Sequence, residues 1–248
     1  MLTLAEKITR LINHQIVTSQ MITQYRKPLV GFASAHDPLF AQMKEIIGPH
    51  HLHPSDLLPD AQTVIAFFIP FAKSIITANR KSSQIASEWA VAYIETNQLI
   101  ETISIELKKE LATYGINVAT QKATHNFNEQ DLTAVWSHKS MAYVAGLGTF
   151  GVNQLLITES GCAGRFCSAV ISAEITPTPR PSRESCHYKR DSNCLFCVKN
   201  CPTGALTIHG LDKQRCYSQL LDVDKQFPEL GLCDVCGKCA MGPCATHI

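Results

Sequence analysis

Cysteine divides this chain before any secondary structure is considered. None of its 11 cysteines precedes Cys162, and nine fall between Cys186 and Cys244. What those thiols are for depends on the compartment. The N-terminal stretch MLTLAEKITRLINHQIV lacks the basic start, apolar block and small-residue cleavage site of a secretory signal, and Leu4, Ile8, Leu11 and Ile12 recur in it at helical spacing. The longest apolar run, TVIAFFIPFA (63–72), contains a proline and falls far short of the roughly 20 residues that cross a bilayer. A cytoplasmic protein with no membrane partner is therefore expected. In a reducing compartment so many thiols serve as metal ligands or catalytic groups rather than as disulfides.

Their spacing is duplicated. Cys186, Cys194, Cys197 and Cys201 form an outlying cysteine, a C-x2-C pair and a further cysteine before Pro202; Cys216, Cys236, Cys239 and Cys244 repeat the order. Cys233 has no counterpart in the first set and is left as the spare, Cys239 being the alternative. A C-x2-C turn sets two thiolates on one side of a tight loop, and Pro202, Gly204 and Gly237 let backbone N–H groups approach the sulfurs. In two-cluster ferredoxins the cysteine before the proline ligates the neighbouring cluster. Carried over to this spacing, one [4Fe-4S] cluster takes Cys186, Cys194, Cys197 and Cys244, and the other takes Cys201, Cys216, Cys236 and Cys239. Structural zinc also uses C-x2-C pairs, but it has no need of a C-x3-C-P element or a crossed-over ligand. A catalytic disulfide pair would leave most of the cysteines unexplained. A ferredoxin would carry its first cysteine where Asp191 stands. Because the second set also begins with a remote cysteine, Cys186 is read as the ligand and Asp191 as a loop residue.

The first 175 residues are different material. Hydrophobic residues make up 45% of the whole chain, enough for a substantial core and roughly one or two domains. PLVGFAS (28–34) and TVIAFFIPF (63–71) read as buried strands, and ASEWAVAYIETNQLIETISIELKKELATYG (86–115) as a long helix stopped by a glycine. GINVAT (115–120), QLLIT (154–158) and SAVISAEI (168–175) read as further strands, while Trp89 and Tyr93, one turn apart on the helix, read as core. The expected fold is an α/β or α+β layered domain over 1–175, followed by a small ferredoxin-like double-cluster domain over 176–248. Proline-rich TPTPRPSRES (176–185) is the linker between them. Lys+Arg 22 nearly balance Asp+Glu 21, without runs of like charge, which argues against a strong nucleic-acid or membrane-surface binder.

Two clusters make an electron relay, and the first domain must supply its terminus. WSHKSMAYVAGLGTFGVNQLLIT (136–158) passes from a helix through a glycine-rich stretch to a strand, and Gly146, Gly148 and Gly151 admit close approach of a bulky ligand or another chain. It is not a dinucleotide fingerprint, which needs a strand before and a helix after. HKSMAYVAGLGTFGVNQLLIT, the Arg-containing GRFCSAVISAEI, PSDLLPDAQTVIAFFIPF (54–71) and the double-cluster module together resemble the epoxyqueuosine reductase family and, more distantly, the reductive dehalogenases. The resemblance implies a cobalamin-reductase-like first domain that holds a base-off cobalamin at Ala145, Gly146, Leu147, Gly148, Gly151 and Asn153, with one cluster near cobalt. It also implies an acid shortly before the glycine-rich stretch. An ungapped count from AGLG places Leu132 there, so Asp131, one residue out of register, is the candidate, with His138 and Lys139 as alternative donors or cofactor contacts.

Longer members of that family continue past the cluster module into a helical-repeat segment that helps grip tRNA, whereas this sequence ends four residues after Cys244. Val152 stands where lysine is common in the family. With near-neutral charge as well, a small-molecule substrate is expected rather than tRNA, and a ferredoxin or flavodoxin as electron donor. The alternative is an electron-transfer protein that serves a partner enzyme and binds no corrinoid. His50, His51 and His53 could hold a metal but more simply face solvent, and Cys162 and Cys167 are either small buried residues or a redox pair.

Overall fold

The computed structural model describes residues 2–246. Thr3 starts the first helix, α1 (Leu4–Val17): its hydroxyl accepts from Glu6 N, and its own N–H donates to the Glu6 carboxylate. There follow β1 (Leu29–Ser34), α2 (Pro38–Ile46), α3 (Pro54–Leu57), β2 (Thr63–Pro70), α4 (Lys73–Lys81), α5 (Ser87–Ala112) and β3 (Val118–Thr120). Next come α6 (His138–Val144), β4 (Gly148–Phe150), β5 (Leu156–Thr158) and β6 (Gly164–Ile171). The cysteine-rich part adds α7 (His187–Asp191), α8 (Phe196–Lys199), β7 (Leu206–Thr207), β8 (Gly210–Leu211) and α9 (Lys213–Asp224), then 3-10 turns at Lys238–Ala240 and Pro243–Ala245.

The central sheet has the order β1-β2-β6-β3, with every neighbouring pair antiparallel. Strand β2 is buried along its whole length, and its two-residue period sorts the side chains between faces. Ile65, Phe67 and Ile69 pack with Ile8 and Ile12 of α1 and Ile103 and Leu107 of α5. Val64, Ala66 and Phe68 pack with Met141 and Val144 of α6, with Phe40 and with Trp136. Each of the larger side chains contributes about 1.5–3 kcal/mol by leaving water. The fold is mixed α/β, and the unbroken apolar run of β2 has its cause in this covering of both faces.

Tertiary pairing moves several boundaries. The long helix stops at Ala112, where Gly115 (φ 69) lets Ile116 N return to Leu111 O at 3.1 Å. Strand β6 begins at Gly164 rather than Ser168 because it pairs with all of β2, and a Cβ at Gly164 would lie 2.2 Å from Ile69 O. Of GINVAT only Val118–Thr120 pairs. Strand β4, unanticipated, folds back on β5 inside the glycine-rich stretch.

The segment 176–185 is tied down rather than free. Thr178 N donates to Phe32 O at 2.8 Å, the Thr178 hydroxyl accepts from Phe32 N at 3.0 Å, and Ser185 N donates to Thr149 Oγ1 at 2.8 Å. The cysteine-rich part shares a core with what precedes it: Phe71, Ile75 and Trp89 pack with Val223, Met241 and Ala245. Backbone pairing reinforces that core, with Cys162 N donating to Cys244 O at 2.9 Å and Ala163 N to Ala245 O at 3.1 Å. Among the described residues no helix is long and apolar enough to cross a membrane.

Candidate functional site

Four cysteines line one small cavity: Cys186 at the N-cap of α7, Cys194 before α8, Cys197 within α8, and Cys244 in the turn Pro243–Ala245. Ser192, in the left-handed region at φ 60, ends α7, its N–H donating to Tyr188 O at 2.8 Å. Val152, Asn153, Ile157 and Phe196 complete most of the lining. Asp191 is absent from it, its carboxylate accepting from Asn193 N and the Arg190 guanidinium in the exposed loop. Two groups bear on Cys244. The Cys162 thiol lies 3.8 Å from its sulfur, and Asn153 Nδ2 donates to Cys244 Sγ at 3.9 Å, to Cys162 Sγ at 3.7 Å and to Cys239 O at 3.2 Å. The bond from Cys162 lowers the Cys244 pKa, and the same bond together with burial raises that of Cys162.

The other four, Cys201, Cys216, Cys236 and Cys239, line a larger cavity of about 540 Å³. Cys201 and Pro202 follow α8, Cys216 lies on α9, and Cys236 and Cys239 flank Gly237, whose φ of 71 makes the tight turn. Burial opposes the Cys201 thiolate, but N–H groups of Leu206, Thr203 and Ala205 and the Thr203 hydroxyl outweigh it and lower its pKa. Burial, with the neighbouring thiols adding to it, pushes Cys239 up to about 12. Cys233 lines neither cavity: it is buried against Ala90 and Tyr93, its sulfur 4.0 Å from Ala90 O. Among the described residues no three His, Cys, Asp or Glu side chains are close enough to hold a single metal ion.

The large cavity also has a polar wall that the sequence did not reveal. Tyr93 Oη donates to Asp234 Oδ1 at 2.7 Å, His125 Nε2 stands 3.5 Å from the same oxygen, and the Arg165 guanidinium lies over the Tyr93 ring at 4.5 Å. Burial raises the Tyr93 pKa, so its hydroxyl keeps its proton. Arg165 Nε and Trp89 Nε1 are buried without a hydrogen-bond partner, and both residues line the cavity. Backbone strain gathers there too: His125 (φ 55), Leu132 (φ 54) and Gln154 (φ 59) are three of the four non-glycine residues with positive φ among the described residues, and all three line it. Each such residue costs on the order of 1–3 kcal/mol, an expense that functional cavities commonly carry. The only sequence signal for this wall was an arginine inside the apolar strand GRFCSAVI. Tyr93 and Asp234 are 141 positions apart.

No family model matches the chain, but curated relatives do. The epoxyqueuosine reductase of Salmonella typhimurium is 23% identical over 184 residues, covering 73% of this chain and 46% of that protein. That of Francisella cf. novicida is 25% identical over 230 residues, covering 88% and 59%. The structure of epoxyqueuosine reductase from Streptococcus thermophilus superimposes with a TM-score of 0.58 at 16% identity, over 96% of this chain and 65% of that one. The chain resembles the epoxyqueuosine reductases. It spans about half the length of the curated relatives it matches. Another epoxyqueuosine reductase, solved with an epoxyqueuosine-modified tRNA stem loop, has a TM-score of 0.55 at 19% identity, over 93% of this chain. A reductive dehalogenase, described with a mechanism for B12-dependent dehalogenation, has a TM-score of 0.56 at 14% identity, over 87% of this chain. At these identities the likeness establishes the fold.

The fold separates the residues that the epoxyqueuosine reductase resemblance singled out. Of Asp131, His138 and Lys139, only Lys139 lines the large cavity, its ammonium donating to Gln154 O at 2.8 Å and its pKa lowered by burial. Asp131 is exposed and turns back on its own loop, where the Thr133 hydroxyl and N–H hold its carboxyl below the usual range; Leu132 lines the cavity in its place. His138 is buried between Ser168 Oγ at 2.8 Å and Lys122 O at 2.9 Å, and burial lowers its pKa to about 4, which keeps it neutral. Of Ala145, Gly146, Leu147, Gly148, Gly151 and Asn153, only Asn153 lines the cavity. The others make room for protein: a Cβ on Gly146 would meet Pro179 O at 2.7 Å, one on Gly148 Ile157 O at 2.2 Å, and one on Gly151 Asn153 Oδ1 at 2.6 Å. Ala145 presents its carbonyl to Gly31, with Leu147 packed alongside.

Two minor readings are decided as well. His51 is fully buried, stacked on Trp136 and accepting from Ser137 N, so it does not face solvent with its neighbours. Cys162 and Cys167 belong to different cores, and the nearby thiol of Cys162 is Cys244.

Proposed function

We propose that the chain is an iron–sulfur oxidoreductase of the epoxyqueuosine reductase type. In this reading two [4Fe-4S] clusters serve a cofactor, cobalamin in class, which the large cavity holds and which reduces a small-molecule substrate. One observation carries it: the two cysteine sets assigned to separate clusters from spacing and the ferredoxin crossover face two cavities that share Asn153 as a wall, and the second set opens into the roomy one. Each set offers the four thiolates that such a cluster takes, and about 540 Å³ is in the range of cofactor sites. When bound, the clusters supply single low-potential electrons and a corrinoid supplies a strongly reducing metal centre.

The chain's own residues supply the rest. Cys186, Cys194, Cys197 and Cys244 hold one cluster, and Cys201, Cys216, Cys236 and Cys239 the other. Trp89 Nε1 and Arg165 Nε, buried donors without partners, take the carbonyl or anionic groups of what the cavity binds. Tyr93 Oη holds a proton at the wall, and Asp234 and the more exposed His125 connect that hydroxyl to solvent. A ferredoxin or flavodoxin is the electron donor in this proposal.

Anaerobic purification, reconstitution with iron and sulfide, and incubation with cobalamin test the reading. The expected result is about eight irons per chain with a stoichiometric corrinoid in the visible spectrum. Eight irons without corrinoid would shift the assignment to an electron-transfer protein serving a partner enzyme. A chain that takes up no iron sinks both. Because one structural neighbour was solved with a tRNA stem loop, epoxyqueuosine-bearing tRNA belongs in the assay, and its turnover would overturn the small-molecule assignment.

A further inference from the structure

Eight cysteines suffice for the two clusters, yet a ninth thiol stands directly against Cys244 of the first set. Cys162 comes from the loop between β5 and β6, far from the cysteine-rich segment. Its backbone N–H donates to Cys244 O at 2.9 Å, which holds the two residues abreast, and its sulfur lies 3.8 Å from Cys244 Sγ. Gly161 is what allows the approach, since a Cβ there would lie 2.3 Å from Ala245 O. Asn153 Nδ2 contacts both sulfurs, at 3.7 and 3.9 Å, so its amide serves either one without moving. Cys162 lines the large cavity while Cys244 lines the small one, which places the two thiols on opposite sides of the wall between them. The other cysteine of the first domain, Cys167, has no such neighbour and packs in the core under α1 and α5.

We infer that Cys162 is a reserve ligand for the iron corner held by Cys244, able to take over that corner without loss of the cluster. The inference rests on the cluster assignment above. In the exchange the bond from iron to Cys244 Sγ breaks and one from iron to Cys162 Sγ forms. The proton on Cys162 passes to Cys244 Sγ along the existing S–H···S contact, and no electron is gained or lost. A ligand that exchanges within the site keeps the cluster intact when one corner is lost, and in the exchanged form the corner lies on the large-cavity side.

The test uses the full chain, reconstituted anaerobically, with iron and acid-labile sulfide counted and the reduced protein examined by electron paramagnetic resonance. Wild type, Cys162→Ala and Cys167→Ala are expected to hold about eight irons. Cys244→Ala is expected to hold about eight as well, with an altered resonance from the first cluster, whereas Cys162→Ala combined with Cys244→Ala falls to about four. A fall to about four in Cys244→Ala alone overturns the inference, as does retention of eight in the double variant. The second cluster's resonance, retained throughout, shows that each variant has folded. Wild type without iron would instead overturn the cluster assignment itself, so the two failures are distinct.

Discussion

Gly237 passes so close to Trp89 that a Cβ at the glycine would lie 2.3 Å from the indole ring. The contact joins the turn carrying Cys236 and Cys239 to helix α5, and with it the cysteine-rich part to the first part of the chain. Gly237 is also in the left-handed region, at φ 71. Gly237→Ala therefore combines backbone strain with overpacking against a buried ring, and a loss of at least about 2 kcal/mol is expected. Chemical denaturation of the reconstituted protein measures it. An unchanged midpoint would mean that the ring and the turn separate freely.

Gly146 makes a parallel case in the glycine-rich stretch. Its φ is 78 and its Cβ position is occupied by the carbonyls of Thr178 and Pro179, so Gly146→Ala should cost more than the about 1–2 kcal/mol of left-handed strain alone. Corrinoid uptake by the folded fraction should be unaffected. Selective loss of corrinoid at full stability would return this glycine to the cofactor site.

Cys233, read as the spare, and Cys186, read as a ligand, are distinguished by iron content. Cys233 is buried against Ala90 and Tyr93, outside both cavities, so Cys233→Ala should retain about eight irons, whereas Cys186→Ala should retain about four. The opposite pattern would redraw both ligand sets.

His138 makes stability depend on pH. Its pKa in the folded protein, about 4, is below the ordinary 6.5, because burial disfavours the imidazolium. The unfolded chain therefore binds the proton first. Its contribution is complete above about 6.5, is lost as pH falls from there towards 4, and reaches an order of about 3 kcal/mol. His51, also lowered by burial, acts in the same direction. Thermal midpoints between neutral pH and pH 5 should fall less steeply in His138→Asn than in wild type; parallel curves would show that the imidazole titrates normally in the folded protein.

Local pattern was enough for the strands of the central sheet, the long helix and the grouping of cysteines, because each is written in short-range periodicity or spacing. TVIAFFIP, short, apolar throughout and rich in β-branched and aromatic residues, reads as a buried strand, and a C-x2-C pair brings its own sulfurs close by local geometry. Spacing alone groups Cys201 with the first set and Cys244 with the second; the exchange of the two came from the ferredoxin precedent, and in the fold Cys244 lines the small cavity and Cys201 the large one. Asp131, His138 and the glycines were singled out by position in a motif, and position does not say which way a side chain faces. A hydrogen bond to Thr133 turns Asp131 away, two partners enclose His138, and neighbouring backbone fills the space that the glycines leave.

By itself, then, the sequence determined the mixed α/β class, the crowding of cysteines into the last third of the chain and the resemblance to the epoxyqueuosine reductases. Only tertiary structure decided what stands around the large cavity. Tyr93 meets Asp234 across 141 positions, and Cys162 meets Cys244 across 82. Such contacts arise when α5 and the β5–β6 loop are packed against the cysteine-rich turns through a common core. Burial then makes partners of residues whose local sequence carries no sign of one another.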